Sequence, residues 1–178
     1  HLILTPRTGV KNRWGHIWEA KWAAPIYPLI NAQIEYFDQL PPSGKAEVTM
    51  NEKKYAWNNW GDIITPNDAK EVLAIYSDQF YSGKAAAIRH KTGKGTVTYI
   101  GVDTDDALLE REIVQGVYQQ TGVQTENHPQ GVYVQWRDGY WIAVNFSSSA
   151  QTIRIPAKSR LLIGNNILQP AGVAVWIE

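Results

Sequence analysis

The stretch whose reading decides the fold is residues 1–22, HLILTPRTGVKNRWGHIWEAKW. The apolar run Leu2-Ile3-Leu4-Thr5 stops at Pro6, which lacks an N–H and cannot continue a ladder, so residues 1–5 read as a short strand. "PRTGVKN" then turns the chain: Gly9 permits the turn, and Asn12 is a fair N-cap. Trp14, Trp18 and Trp22 follow at i, i+4 and i+8 with Ile17 beside them and Pro25 after them, which predicts a helix over 12–24. A loop between a strand and a helix is where open α/β sheets place ligands. Here only Arg7 and Lys11 have chemical reach, enough for salt bridges to a neighbouring subunit. His1 stands directly before a strand, as in the middle of a β/α unit, and this predicts a piece of a longer protein.

Working outward, "PIYPLINAQIEYFDQLPPSGKAE" has four prolines and no sustained period, and reads as loop with a short helical piece. "AEVTMNEKKYAWNNWGDII" (46–64) predicts two strands joined near Asn51-Glu52-Lys53. Thr65-Pro66-Asn67-Asp68 resembles a helix start, but "EVLAIY" (71–76) reads better as a strand. "AAAIRH" (85–90) and "TVTYIGV" (96–102) follow it, with glycine turns at Gly83 and Gly93–Gly95, a meander spacing. Asp103-Thr104-Asp105 caps a helix over 105–121 whose stripe is Leu108, Leu109, Ile113, Val117 and Tyr118, with Gly122 as its stop.

The polar run "QTENHPQ" (124–130) marks a domain boundary, giving domains 1–124 and 125–178. Beyond it all is β. "GVYVQWRDGYWIAVNF" is a hairpin with Asp138-Gly139 in a two-residue turn. "QTIRIP", "RLLIG" and "GVAVWIE" add short strands, which together read as a small antiparallel sandwich or half-barrel.

Composition limits the function. The 178 residues are 44% hydrophobic and 19% charged with zero net charge, so a real core forms and nothing points to nucleic acid or an anionic membrane. No apolar run nears the ~20 residues needed to cross a bilayer. There is no cysteine, which excludes disulfides, thiolate metal sites and a cysteine nucleophile. His1, His16, His90 and His128 give no i,i+4 metal pair, and no cofactor is implied. The compartment, cytoplasmic or periplasmic, stays open.

Several motifs touch on chemistry. Asn51-Glu52 matches the acid/base dipeptide of many retaining glycosidases, which need two carboxyls about 5–5.5 Å apart; before Lys53-Lys54 at a hairpin turn it reads as solvated. Asp103-Thr104-Asp105-Asp106 offers oxygens for a hard cation, but acidic residues at a helix start are expected from the dipole alone. "RHKTGKGT" (89–96) fails as a phosphate loop, because Gly95 stands where serine or threonine is required. Asn145-Phe146-Ser147 matches a glycosylation acceptor, a triplet frequent by chance. No Gly-x-Ser-x-Gly supports a serine triad.

The eight tryptophans remain. The Asp138-Gly139 turn pairs Trp136 with Trp141 on one face, opposite Tyr133, Tyr140, Ile142, Val144 and Phe146. One face must fill the small module. The Trp136/Trp141 face either packs on the preceding domain, the favoured reading, or stacks on sugar. The Trp14/Trp18/Trp22 stripe reads as core or subunit interface rather than a ligand platform.

These pieces resemble a known family. "LILTPRTGVKNRWG" is similar to the segment "(GG)xLVLTxRTGVKDExN" in the central domain of family 42 glycoside hydrolases, the microbial β-galactosidases. "DAKEVLAIYSDQFYSGKAAAIRHKTGKGTVTYIGVDTDDALL" resembles that domain's "AEVLAxYxxxFYAGxPAVTRNxxGKGxxxYxGTxxD". The stretch from "GVYVQWRDGYWIAVNF" to "LQPAGVAVWIE" resembles the family's small C-terminal β domain. The likeness runs in order over nearly the whole chain.

The resemblance implies an α/β trimerisation domain of flavodoxin or class I glutamine-amidotransferase-like fold, without its opening strands and with added antiparallel strands, followed by the β domain. It implies a homo-oligomer, a trimer, and a catalytic barrel outside this chain, so no catalytic residue carries over and Asn51-Glu52 is no match. Amidotransferase chemistry needs the cysteine this chain lacks. Arg7, Lys11, Trp14, Trp18 and Trp22 are then expected at an interface, against a neighbouring subunit or the barrel. The alternative is a carbohydrate-binding module using Trp136 and Trp141. Asn12-Arg13-Trp14 departs from the family's pattern, where an acidic residue and then asparagine are common.

Overall fold

The computed structural model describes all residues, His1–Glu178, as two compact units, His1–Val123 and Gln124–Glu178. Strands dominate. In chain order the first unit holds β1 (Leu2–Leu4), the one-turn α1 (Tyr27–Ile30), β2 (Ala32–Gln39), β3 (Ala46–Met50), β4 (Lys53–Pro66), β5 (Val72–Tyr76), β6 (Ala85–Thr92), β7 (Gly95–Ile100), β8 (Val102–Thr104) and α2 (Leu108–Gln120). Its sheet runs β1-β7-β6-β5-β3-β4-β2, with β8 on β4. Only β1 and β7 pair in parallel; every other ladder is antiparallel. The first unit is thus mostly strands, a largely antiparallel sheet with two α-helices, where the expectation was an α/β domain with antiparallel strands added to it. The reason is local: the tight turns Asn51-Glu52 and Gly93-Lys94 close hairpins, and only a longer crossover makes strands parallel.

β4 organises the unit. Its first half pairs with β3 and its second with β2. Alternation along it sends Trp57 and Ile63 to one buried cluster, with Val48, Tyr76, Leu109 and Ile113, and Ile64 to the other, with Ile30, Ile34, Ile88 and Tyr99. Helix α2 covers the first cluster, where burying Leu109 and Ile113 contributes about 2 kcal/mol each. It starts at Leu108 rather than 105, because Asp106 and Ala107 take positive φ; the Thr104 Oγ1 accepts the Leu109 N–H at 3.2 Å, while the Glu110 carboxylate accepts the Thr104 N–H at 2.8 Å and its hydroxyl.

Two expectations fail here. β2 lies where the prolines suggested loop; Ala32 and Ile34 point into the core while Gln33 and Glu35 point out, and a bulge follows before Tyr36. The helix over 12–24 does not form. The Asn12 side-chain oxygen accepts the N–H groups of Trp14 and His16, both at 3.0 Å, the Asn12 N–H bonds the His16 carbonyl at 2.8 Å, and Lys11 bridges Ile17. Gly15 sits at φ +82°, which closes a small hairpin-like loop instead of a helical turn. The four-residue tryptophan spacing is thus no helix stripe.

The second unit holds β9 (Val132–Arg137), β10 (Tyr140–Asn145), β11 (Gln151–Thr152), β12 (Arg160–Ile163), β13 (Ile167–Leu168) and β14 (Val173–Ile177). Antiparallel sheets β12-β14-β10-β9 and β11-β13 share one core of Val132, Ala143, Ile153, Leu168, Ala174 and Trp176. Asp138-Gly139 forms the hairpin turn, with Trp141 opposite Trp136.

Candidate functional site

The opening loop is held by one buried carboxylate. Asp62 on β4 has no solvent exposure. Its Oδ1 accepts the indole N–H groups of Trp22 at 3.2 Å and Trp60 at 3.0 Å. Its Oδ2 accepts the Tyr99 hydroxyl at 2.6 Å and the backbone N–H of Arg7 at 3.3 Å. Four donors replace the water a carboxylate would otherwise hold. Burial, and then the Asp62 charge, hold the Tyr99 hydroxyl well above its ordinary range, so it remains a donor.

The aromatic rings stack from this centre outward. Phe37 lies 4.4 Å from Trp60 and 4.6 Å from Trp22, centroid to centroid. The Arg7 guanidinium sits 4.9 Å from the Trp60 ring centroid and 3.9 Å from Asp103. Burial raises the Asp103 pKa, and Arg7 opposes that shift. Arg7 itself has φ +66°, and Gly9 follows at φ +76°. A Cβ on Gly9 would stand only 2.6 Å from the Ile26 methyl, so no larger residue fits there. "PRTG" is a fixed corner.

The loop beyond it presents what the corner positions. Trp14 is 69% exposed, Ile17 61% and Trp18 42%. Arg13 lies over the Trp14 ring at 4.4 Å, and the Trp18 N–H bonds the Val10 carbonyl at 3.2 Å. The backbone of this loop is fixed while its rings face out. Of the five residues expected at an interface, Trp14, Trp18 and the exposed Lys11 face outward, Arg7 is engaged by Asp103 and Trp60, and Trp22 is held inside the unit by Asp62 and Phe37.

In the second unit, Trp141 packs at the core and stacks on Trp176, centroids 6.3 Å apart, while Trp136 is 57% exposed. The pair does not form one exposed platform. The opposite face carries the more exposed rings, Tyr133 and Phe146, in edge contact at 5.6 Å.

Sequence reasoning missed Asp62 and Asn145. In "NNWGDII" the aspartate looks like any polar residue on a strand; the tryptophan two residues before it was the available signal. Asn145 reads in the sequence only as part of a glycosylation triplet. It is fully buried: its amide reaches the carbonyls of Ser149, Leu168 and Gln169, and its oxygen accepts from Ser147. Asn51 and Glu52 form the exposed β3–β4 turn, both with positive φ.

Residues 1–124 match the family model described as β-galactosidase trimerisation domain, and residues 131–178 match the β-galactosidase C-terminal domain. The chain belongs to the glycoside hydrolase family 42 β-galactosidases. Among curated relatives of this family 42 chain, the β-galactosidase of Haloferax lucentense is 28% identical over 179 residues, covering 98% of this chain and 26% of its own length. That of Clostridium cellulovorans is 35% identical over 113 residues, covering 61% of this chain and 16% of its own. The crystal structure of the β-galactosidase from the psychrophilic Marinomonas ef1 superposes with a TM-score of 0.75 at 26% identity, over 99% of this chain and 25% of that one. The β-galactosidase of Rahnella sp. R3 has the same fold, at TM-score 0.80 and 21% identity over 99% of this chain and 28% of its own. The family 42 chain thus spans about a quarter of the length of the relatives it matches over nearly its whole extent.

Proposed function

We propose that this chain is a non-catalytic part of a β-galactosidase that holds copies of the enzyme together and braces its catalytic barrel. The observation that carries this reading is the opening loop. Asp62 and the Trp22–Phe37–Trp60 stack fix its backbone, and it turns Trp14, Ile17 and Trp18 to solvent. Exposed aromatics on a rigid base suit a subunit interface, because little side-chain or backbone freedom is lost on association. The matched description of residues 1–124 as a trimerisation domain supports a homotrimer built through this unit. The division into domains 1–124 and 125–178 accords with the two matched segments. In the finer fold reading, the parallel β1–β7 pair with α2 is the flavodoxin-like element, and the antiparallel strands are additions to it.

Catalysis is assigned to a barrel outside this chain. Assayed alone on aryl β-galactosides, the chain is expected to give no turnover above buffer; turnover abolished by a single carboxylate substitution within it would overthrow the assignment. The carbohydrate-binding reading through Trp136 and Trp141 is not favoured, since Trp141 is committed to Trp176.

A further inference from the structure

Between the second half of α2, the β3–β4 turn and strands β5 and β6 lies a cleft of about 390 Å³. Its floor is apolar, formed by Met50, Leu73 and Ile113. Its walls are polar, and one group there lacks a counterpart. Arg89, on β6, is half-buried, and its Nε donates to the Thr98 hydroxyl at 3.2 Å. Thr98 is fully buried, so this bond fixes the plane of the guanidinium. The two terminal nitrogens of Arg89 make no hydrogen bond or ion pair within the chain. The carboxylate lining the same cleft, Glu112, is taken: it accepts from the Tyr55 hydroxyl at 2.7 Å and from Lys53 at 3.0 Å. Burial lowers the Arg89 pKa, as it must where a cation loses water without gaining a carboxylate.

An oriented, partly desolvated guanidinium with its fork unused is built to receive two oxygens of one anion. The rest of the cleft indicates the body of the ligand. The side-chain amides of Gln119 and Gln120 line it, able both to donate to and accept from hydroxyls. Gly116 faces it with no atom within 4 Å of the position a Cβ would take, which leaves the helix side open. The volume lies in the range of small-molecule sites.

We infer that this cleft binds a small polyol carrying one oxyanion, of monosaccharide size, with its carboxylate or phosphate on Arg89 and its hydroxyls on Gln119 and Gln120. The site is separate from the opening loop, and binding is read on one chain, so it stands or falls independently of oligomerisation. The test is titration of the full chain with D-galacturonate, galactose 6-phosphate and neutral galactose, followed by amide and arginine Nε NMR shifts. Either anionic sugar, or both, is expected to give saturable shifts at Arg89, Gly116 and Gln119, and the arm that responds names the oxyanion. Galactose is expected to give none. Arg89→Gln should weaken binding about tenfold or more. Gly116→Val, which fills the cleft and leaves Arg89 in place, should abolish binding while the spectrum elsewhere stays unchanged. Galactose binding as well as its acid, wild-type affinity in either variant, or no saturation with either anion would overturn the inference.

Discussion

Each unit has a fully buried polar side chain that gathers several hydrogen bonds, a carboxylate in the first and a carboxamide in the second. Asp62 gathers donors: two indoles, a phenol and a backbone N–H from Arg7. Asn145 chiefly gathers acceptors, with its amide among three backbone carbonyls and Ser147 closing on its oxygen. The first arrangement pins side chains and a distant loop; the second pins mainly backbone, of residues 147–149 and 168–169. A carboxylate suits a site that must recruit side-chain donors from far along the sequence. A carboxamide suits a knot of backbone, because it donates and accepts at once.

Substitutions that cross or empty these centres test the comparison. Asp62→Ala leaves buried indole and phenol donors without an acceptor and should cost about 3–5 kcal/mol. Hydrogen exchange should place the loss within residues 1–123. Asn145→Asp sets a carboxylate among three carbonyl oxygens and should cost about 3 kcal/mol, confined to residues 124–178. Asp62→Asn keeps the shape but exchanges one acceptor oxygen for a donor, and should cost about 2 kcal/mol. Losses below about 0.5 kcal/mol for both exchanges would show that charge is not what distinguishes the centres.

The smallest expected effect lies on the α2 surface. The Tyr55 hydroxyl and Lys53 lower the Glu112 pKa below its ordinary 4.5, with burial opposing them. Its folded value is the depressed one, so this contribution is present above the ordinary range and fades as pH falls through the folded value. Burial, then Glu112, push Tyr55 from 10.0 to about 12, so its contribution fades as pH rises between those values. Glu112→Gln should flatten the acid limb of the urea midpoint against pH.

The sequence made the hairpins, α2 and the Asp138-Gly139 turn legible, because their signals are local: turn residues, alternation, and the helical spacing of Leu109, Ile113 and Val117. It misled at residues 12–24. A four-residue aromatic spacing suggested a helix, but Asn12 and Gly15 bend the backbone, and Trp22 is placed by Asp62, forty residues away in sequence. The prolines around β2 hid a strand whose inward residues, Ala32 and Ile34, alternate correctly. Long-range polar contacts leave no periodic trace, so the centre of the candidate site was the part least visible.

The most direct measurement is the sedimentation mass of the chain across its concentration range, beside a Trp14→Ser/Trp18→Ser variant. Both rings are exposed, so the variant should keep the wild-type circular dichroism and melting midpoint of a single chain. If the opening loop is the subunit interface, the wild type approaches three times the 20.1 kDa chain mass while the variant stays at one. A wild type that remains a single chain throughout, or a variant that assembles as well as the wild type, would contradict it.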